Sequence, residues 1–207
     1  FDAGFAVDLA VMELAAELRQ RILTGGRLPL VVSGCVRGAV KVEERCPALR
    51  SHLSTCRSPQ QMLGSLITNY YADVHSLPPD RVCSVLVTRC PAARAEAERP
   101  DYSCDGMRDV DAVLTPAEAV SLLREHAIDA RALPGEPFNA PFGLASGLPG
   151  GLADAVLRAA WFQHTGEEWH GDLAGLAIDG TPLRAVTVAD PADLLHGDVY
   201  ALIEVSG

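Results

Sequence analysis

The sequence predicts an α/β domain: a mainly parallel sheet with helices on both faces. Short apolar runs at 28–33, 82–88, 109–114, 184–189 and 199–205 have strand length. Segments with helical spacing of apolar residues alternate with them. Capping signals mark where several of those helices begin.

In the first segment Val7, Val11, Leu14, Leu18 and Ile22 recur at intervals of three and four, which predicts an amphipathic helix over 5–24. Gly25 and Gly26 end it. The run LPLVVS at 28–33 is a buried strand that stops at Gly34-Cys35, and a helix over about 37–48 follows. Ser58-Pro59 opens the next helix, with a capping hydroxyl before a proline in the first turn. Its apolar face is wide (Met62, Leu66, Tyr70 and Val74 with Leu63, Ile67 and Tyr71), so it is expected to be well buried. VCSVLVT at 82–88 is a second strand, ending at Arg89-Cys90. A third, at 109–114, runs into Thr115-Pro116-Ala117-Glu118, a capping box. The glycine- and proline-rich stretch 143–151 precedes a helix at about 152–164, and the strands 184–189 and 199–205 close the chain. The richest loop lies at 130–151, and no internal repeat is evident.

The 207 residues are expected to form one α/β domain over 1–207, and 48% of them are apolar, enough for a core without disulfide staples. The formal net charge of −10 offers no basic footprint for phosphates, so nucleic acid is excluded as a partner. No apolar run reaches membrane-spanning length. The chain opens on Phe1 without a basic leader, and it reads as a cytoplasmic piece of a longer protein with flanking regions missing at both ends. The six cysteines (Cys35, Cys46, Cys56, Cys83, Cys90 and Cys104) form no CxxC pair, which disfavours a zinc knuckle. Two or three of them are expected to be small buried hydrophobes.

In open α/β sheets, ligands gather beyond the carboxyl ends of the strands. Cys35 and Cys90 each follow a predicted strand end, and the last strand ends at Val205. Soft thiolates there suit an iron–sulfur cluster or zinc, although two cysteines can also fall at strand ends by chance. The glycines at 147, 150 and 151 match neither dinucleotide nor nucleotide phosphate-loop spacing, and the six histidines show no paired metal spacing.

The stretch LSTCRSPQQMLGSLITNYYA at 53–72 resembles the LSxCKSPQQMxG motif of the iron-only (di-iron) hydrogenases. So do FDAGFAVDLAVME at the start, DVDAVLTPAEA at 109–119 and PGGLADAVLRAA at 149–160, while YALIEV resembles the strand before the family's last cysteine motif. The resemblance implies a lobe of the family's catalytic domain. It places Cys35 in the position of the second cysteine of the TSCCP motif and Cys90 in that of the MPCxxK cysteine. Both would then be metal ligands of a [4Fe-4S] cluster, two of four, with the other two expected beyond Gly207. It also places Glu17, Arg21 and Ser54 on the family's proton path, while Leu14 stands where a second acid is expected. A plain helical Glu17–Arg21 pair and a turn-forming Ser54 explain the same residues equally well.

The departures fall at the reacting centre. Gly34 replaces the proton-transferring cysteine, Ala93 the lysine that holds the di-iron subcluster, and Thr88-Arg89 the Met-Pro before the second ligand. The glycine-rich insert is shortened between 146 and 150. The expected partners are the remaining lobes of the same protein and a ferredoxin-like electron carrier. Three functions stand against one another: a working hydrogenase, a silent relative that keeps the cluster for electron relay or sensing, and a metal-free interaction module.

Overall fold

A computed structural model describes residues 1–104, 106–135, 151–173, 175–189 and 200–205. Most of the 130–151 loop, the shortened insert and the glycines at 147 and 150 lie outside them. In chain order, helix α1 (Ala3–Thr24) leads to strand β1 (Leu30–Val32) and helix α2 (Val36–Arg45). Helix α3 (Pro59–Leu66) continues through a wider turn (Ile67–Tyr71) into α4 (Ala72–Val74). Strand β2 (Val85–Val87), helix α5 (Ala92–Ala97) and a small hairpin of β3 (Ser103–Cys104) and β4 (Met107–Arg108) follow. Next come β5 (Ala112–Leu114), α6 (Pro116–Glu125) and α7 (Gly151–Thr165). A second hairpin, β6 (Ala177–Ile178) and β7 (Thr181–Pro182), precedes β8 (Ala185–Val188) and β9 (Leu202–Val205).

The chain divides into two compact units, Phe1–Pro59 with Ala140–Gly207, and Gln60–Asn139. In the first, β1, β9 and β8 form a sheet whose neighbours are all parallel, with β9 central. Side-chain alternation divides its two faces. Leu30, Val32 and Leu202 pack with Leu14, Leu18 and Ile22 of α1 and Val156, Leu157 and Ala160 of α7. Val31, Ile203 and Val205 pack on the opposite side with Val42 of α2, Leu49 and Leu53. Helices therefore cover both faces, as the sequence predicts. In α1 the side chain of Asp2 caps the amino end and Gly25, in the left-handed conformation at φ 69°, caps the other.

In the second unit β2 and β5 pair in parallel, Val85 to Ala112 and Val87 to Leu114. Thr115 and Glu118 complete the reciprocal capping box at the start of α6. The SPQQMLG helix α3 approaches the chain entering β5 through Gly64, where an added Cβ would lie 2.0 Å from the Asp109 carbonyl oxygen. Only glycine allows that approach.

Two expectations fail. The wide apolar face over 59–74 is not uniformly buried: Tyr70 is 69% and Val74 58% exposed, and the buried stripe is Gln61, Gly64, Thr68 and Ala72. Small residues are what let α3 sit close to backbone, so its inner face is selected for size rather than hydrophobicity. Nor are the cysteines core hydrophobes. Cys35, Cys46, Cys56 and Cys90 are free and partly buried, and Cys83 is free and exposed.

Candidate metal-ligand turns and a carboxylate hub

Cys35 sits three residues beyond the end of β1 and caps the amino end of α2. The turn is fixed from inside. The amide of Cys35 donates to Ser33 Oγ at 3.3 Å, and the same hydroxyl lies 2.7 Å from the Cys35 carbonyl and 2.9 Å from the Val205 carbonyl. One hydroxyl thereby ties the cysteine turn to the carboxyl end of β9, which is the same edge of the sheet. On that edge the buried Glu204 carboxylate accepts the amide of Ala153 in the first turn of α7 at 2.9 Å. Gly34 faces open space, and a Cβ there would meet nothing closer than Leu152 Cδ2 at 3.7 Å.

Cys90 sits three residues beyond the end of β2, ahead of α5. Its amide donates to Thr88 Oγ1 at 3.2 Å. Ala93, one turn into the helix, is 3% exposed. The adjacent cation, Arg94, is engaged elsewhere: it pairs with Glu118 and donates to the Val113 carbonyl at 3.1 Å. Cys35 and Cys90 belong to different units. Among the described residues no group of three or more His, Cys, Asp or Glu lies together to hold a metal. As donors the two thiols suit soft metals, and each offers one ligand rather than a complete set.

Glu17, Arg21 and Ser54 do come together, within the first unit. Arg21 Nη2 donates to Glu17 Oε1 at 2.6 Å and to the Leu53 carbonyl at 2.8 Å, and Nη1 donates to the His52 carbonyl at 3.1 Å. Ser54 Oγ donates to Glu17 Oε2 at 2.5 Å, the Thr55 amide lies 3.2 Å from both carboxylate oxygens, and Cys56 Sγ is 3.4 Å from Oε2. The Ser54 amide, donating to the Val31 carbonyl at 2.8 Å, lays this segment beside β1. Burial alone would raise the Glu17 carboxyl, but the Ser54 and Thr55 hydrogen bonds and the Arg21 charge outweigh it and hold the pKa below the ordinary 4.5. Burial pushes the Cys56 thiol up to about 11, the Ser54 hydrogen bond opposing and the Glu17 charge adding. Leu14, where a second acid was expected, is a core residue at 6% exposure. Sequence reasoning missed Thr55 and Cys56 as members of this hub, although both lie inside the LSTC motif.

The family model for the iron-only hydrogenase large subunit, C-terminal domain, matches residues 1–185. The chain is 37% identical over 98% of its length to the NADP-reducing hydrogenase subunit HndD of Solidesulfovibrio fructosivorans, covering 37% of that protein. It is 36% identical over 77% of its length to iron hydrogenase 1 of Clostridium pasteurianum, covering 29% of it. It is 31% identical over 77% of its length to the cytosolic iron-sulfur assembly component 3 of Bos taurus, covering 37% of it. The chain thus spans well under half the length of these relatives. Among solved structures, an [FeFe]-hydrogenase studied for oxygen inactivation of its 2Fe subcluster superposes with a TM-score of 0.67 at 28% identity, over 87% of this chain and 48% of that one. On the extent of the family match and the shared fold, the chain belongs to the family of iron-only hydrogenase catalytic domains, those that form the carboxyl-terminal part of the large subunit.

Proposed function

We propose that the chain contributes Cys35 and Cys90 as two of the four thiolate ligands of a [4Fe-4S] cluster, in a larger protein that relays or senses electrons without turning over hydrogen. The observation that carries this reading is the pair of free, partly accessible thiols, each held at a strand-to-helix turn, with no acid at Gly34 and no cation at Ala93 beside them. The bound cluster would supply one-electron chemistry, and the protein's part is to present the two sulfurs from fixed backbone turns. A proton relay needs a titratable group at the reacting centre, worth roughly 10²–10⁴-fold in rate. Gly34 supplies none. A buried cofactor anion stripped of its cation loses about 3–5 kcal/mol. Arg94 does not stand in for the missing lysine, because Glu118 and the Val113 carbonyl hold it.

The remaining ligands, the other lobes of the same protein and a ferredoxin-like electron carrier complete this reading, in a cytoplasmic setting. Support for a silent role also comes from the relatives, which include an iron–sulfur assembly component as well as hydrogenases. A working hydrogenase is the second reading, and the assembled Glu17, Arg21 and Ser54 favour it.

The test is anaerobic reconstitution of the parent protein, with iron and sulfide quantified and the reduced state examined by electron paramagnetic resonance. Cys35→Ser and Cys90→Ser should each abolish the cluster signal, and hydrogen evolution from a low-potential donor should be absent. A Gly34→Cys, Ala93→Lys variant measured alongside locates the loss. Robust evolution by the unmodified protein overturns the silent reading, and a protein that takes up no iron overturns the ligand assignment.

A further inference from the structure

The two cysteine turns are built alike, and the likeness extends beyond the thiols. In the first unit Ser33 lies one residue past β1, its hydroxyl accepts the amide of Cys35, and the Cys35 carbonyl accepts the amide of Gly38 at 3.1 Å. In the second, Thr88 lies one residue past β2, its hydroxyl accepts the amide of Cys90, and the Cys90 carbonyl accepts the amide of Ala93 at 3.3 Å. Hydroxyl, cysteine and small buried residue therefore recur at the same spacing, each behind a parallel strand and ahead of a helix. Once the structure supplies the frame, the segments LVVSGCVRGA (30–39) and VLVTRCPAAR (85–94) align without a gap. This is an internal repeat that composition and periodicity did not reveal.

The third member is small for a steric reason in the first unit. A Cβ on Gly38 would lie 2.1 Å from Ser33 Oγ and 2.6 Å from the Val205 carbonyl, so the helix closes directly onto the hydroxyl. A side-chain hydroxyl that accepts an amide two residues on makes a tight local turn and removes much of the torsional freedom of the intervening backbone. The direction in which the cysteine Cα–Cβ bond points follows from that turn.

On the reading that both cysteines are cluster ligands, we infer that Ser33 and Thr88 are matched positioning residues: each hydroxyl fixes the backbone turn that aims the thiol of Cys35 or Cys90. Neither hydroxyl needs to touch the cluster. The device acts through the cysteine amide, and Ser33 in addition links its turn to the end of β9.

The test uses the parent protein reconstituted anaerobically, with Ser33→Ala and Thr88→Val beside the conservative Ser33→Thr and Thr88→Ser. Three readouts apply: the rate of cluster release to an iron chelator, the cluster's reduction potential, and alkylation rates of Cys35 and Cys90 in the apo-protein, resolved by peptide mass spectrometry. Loss of a partner that orients a metal ligand typically costs about 10–100-fold in affinity, so release should speed up by about that factor in the hydroxyl-free variants and return in the conservative ones. The alkylation change should be local, at Cys35 for Ser33→Ala and at Cys90 for Thr88→Val. A hydroxyl-free pair with wild-type release, potential and thiol reactivity overturns the inference. So does a change at both cysteines from either single variant, which marks general loosening. Failure of the underlying function reading is distinguishable, because there the wild-type protein itself takes up no cluster.

Discussion

Replacing Glu17 with Gln separates an anchoring carboxylate from a proton carrier. In the folded chain this carboxylate accepts from Arg21, the Ser54 hydroxyl and the Thr55 amide, with side-chain exposures of 14% for Arg21 and 13% for Glu17. An amide of the same shape keeps one acceptor oxygen, and Arg21 keeps the His52 and Leu53 carbonyls. What is lost is the charge-assisted part, and hydrogen bonds to charged groups contribute about 1.5–3 kcal/mol each. A net loss of about 2 kcal/mol at neutral pH follows, or roughly 4–8 °C in Tm for a chain of this size. The sign with pH is fixed by the lowered pKa. The unfolded carboxyl binds its proton first, so Glu17 contributes fully above about 4.5, and the contribution disappears as pH falls through the lower folded value. Thermal unfolding of wild type and Glu17→Gln at several pH values between 3 and 7 should therefore converge at the acid end. Equal stability of the two proteins across that range would refute the anchoring argument and leave proton transfer as the carboxylate's purpose.

Gly64→Ala should cost about 2–4 kcal/mol in denaturant unfolding, because the clash is with the Asp109 backbone and overpacking outweighs the ~1 kcal/mol gain in helix propensity. Gly34→Ala, facing open space, should stay within about 0.5 kcal/mol of wild type under the same conditions, and equal costs for the two would show that α3 does not approach β5 as described. The Cys56 thiol, raised from 9.0 to about 11, should hold roughly 100-fold less thiolate at pH 8 than an ordinary cysteine, so it should alkylate far more slowly than Cys83 in a mass-resolved time course. Alkylation of the two at comparable rates would contradict the raised pKa.

Much of the α/β architecture was legible because its causes are local. The five apolar runs became β1, β2, β5, β8 and β9, and the Thr115–Glu118 box opens α6 where four consecutive side chains said it would. Cys35 and Cys90 were legible as strand-end thiols for the same reason, and a run of identical motif residues was enough to suggest the family. Three features depended on what lies next to what in space. Leu66, Tyr70 and Val74 have core composition, yet the helix turns Gly64 inward because the carbonyl of Asp109 stands there, a neighbour 45 residues away that no periodicity can announce. Glu17 looked like half of an i,i+4 pair, and only the placing of 52–56 beside β1 gives its carboxylate four further donors. Ser33 and Thr88 were ordinary loop hydroxyls until each was found holding the amide of the cysteine two residues on. Short-range propensity therefore determined the elements and the thiols. Which side chain meets which was decided by tertiary packing, since contact energies fall off within a few ångströms and depend on residues far apart in the chain.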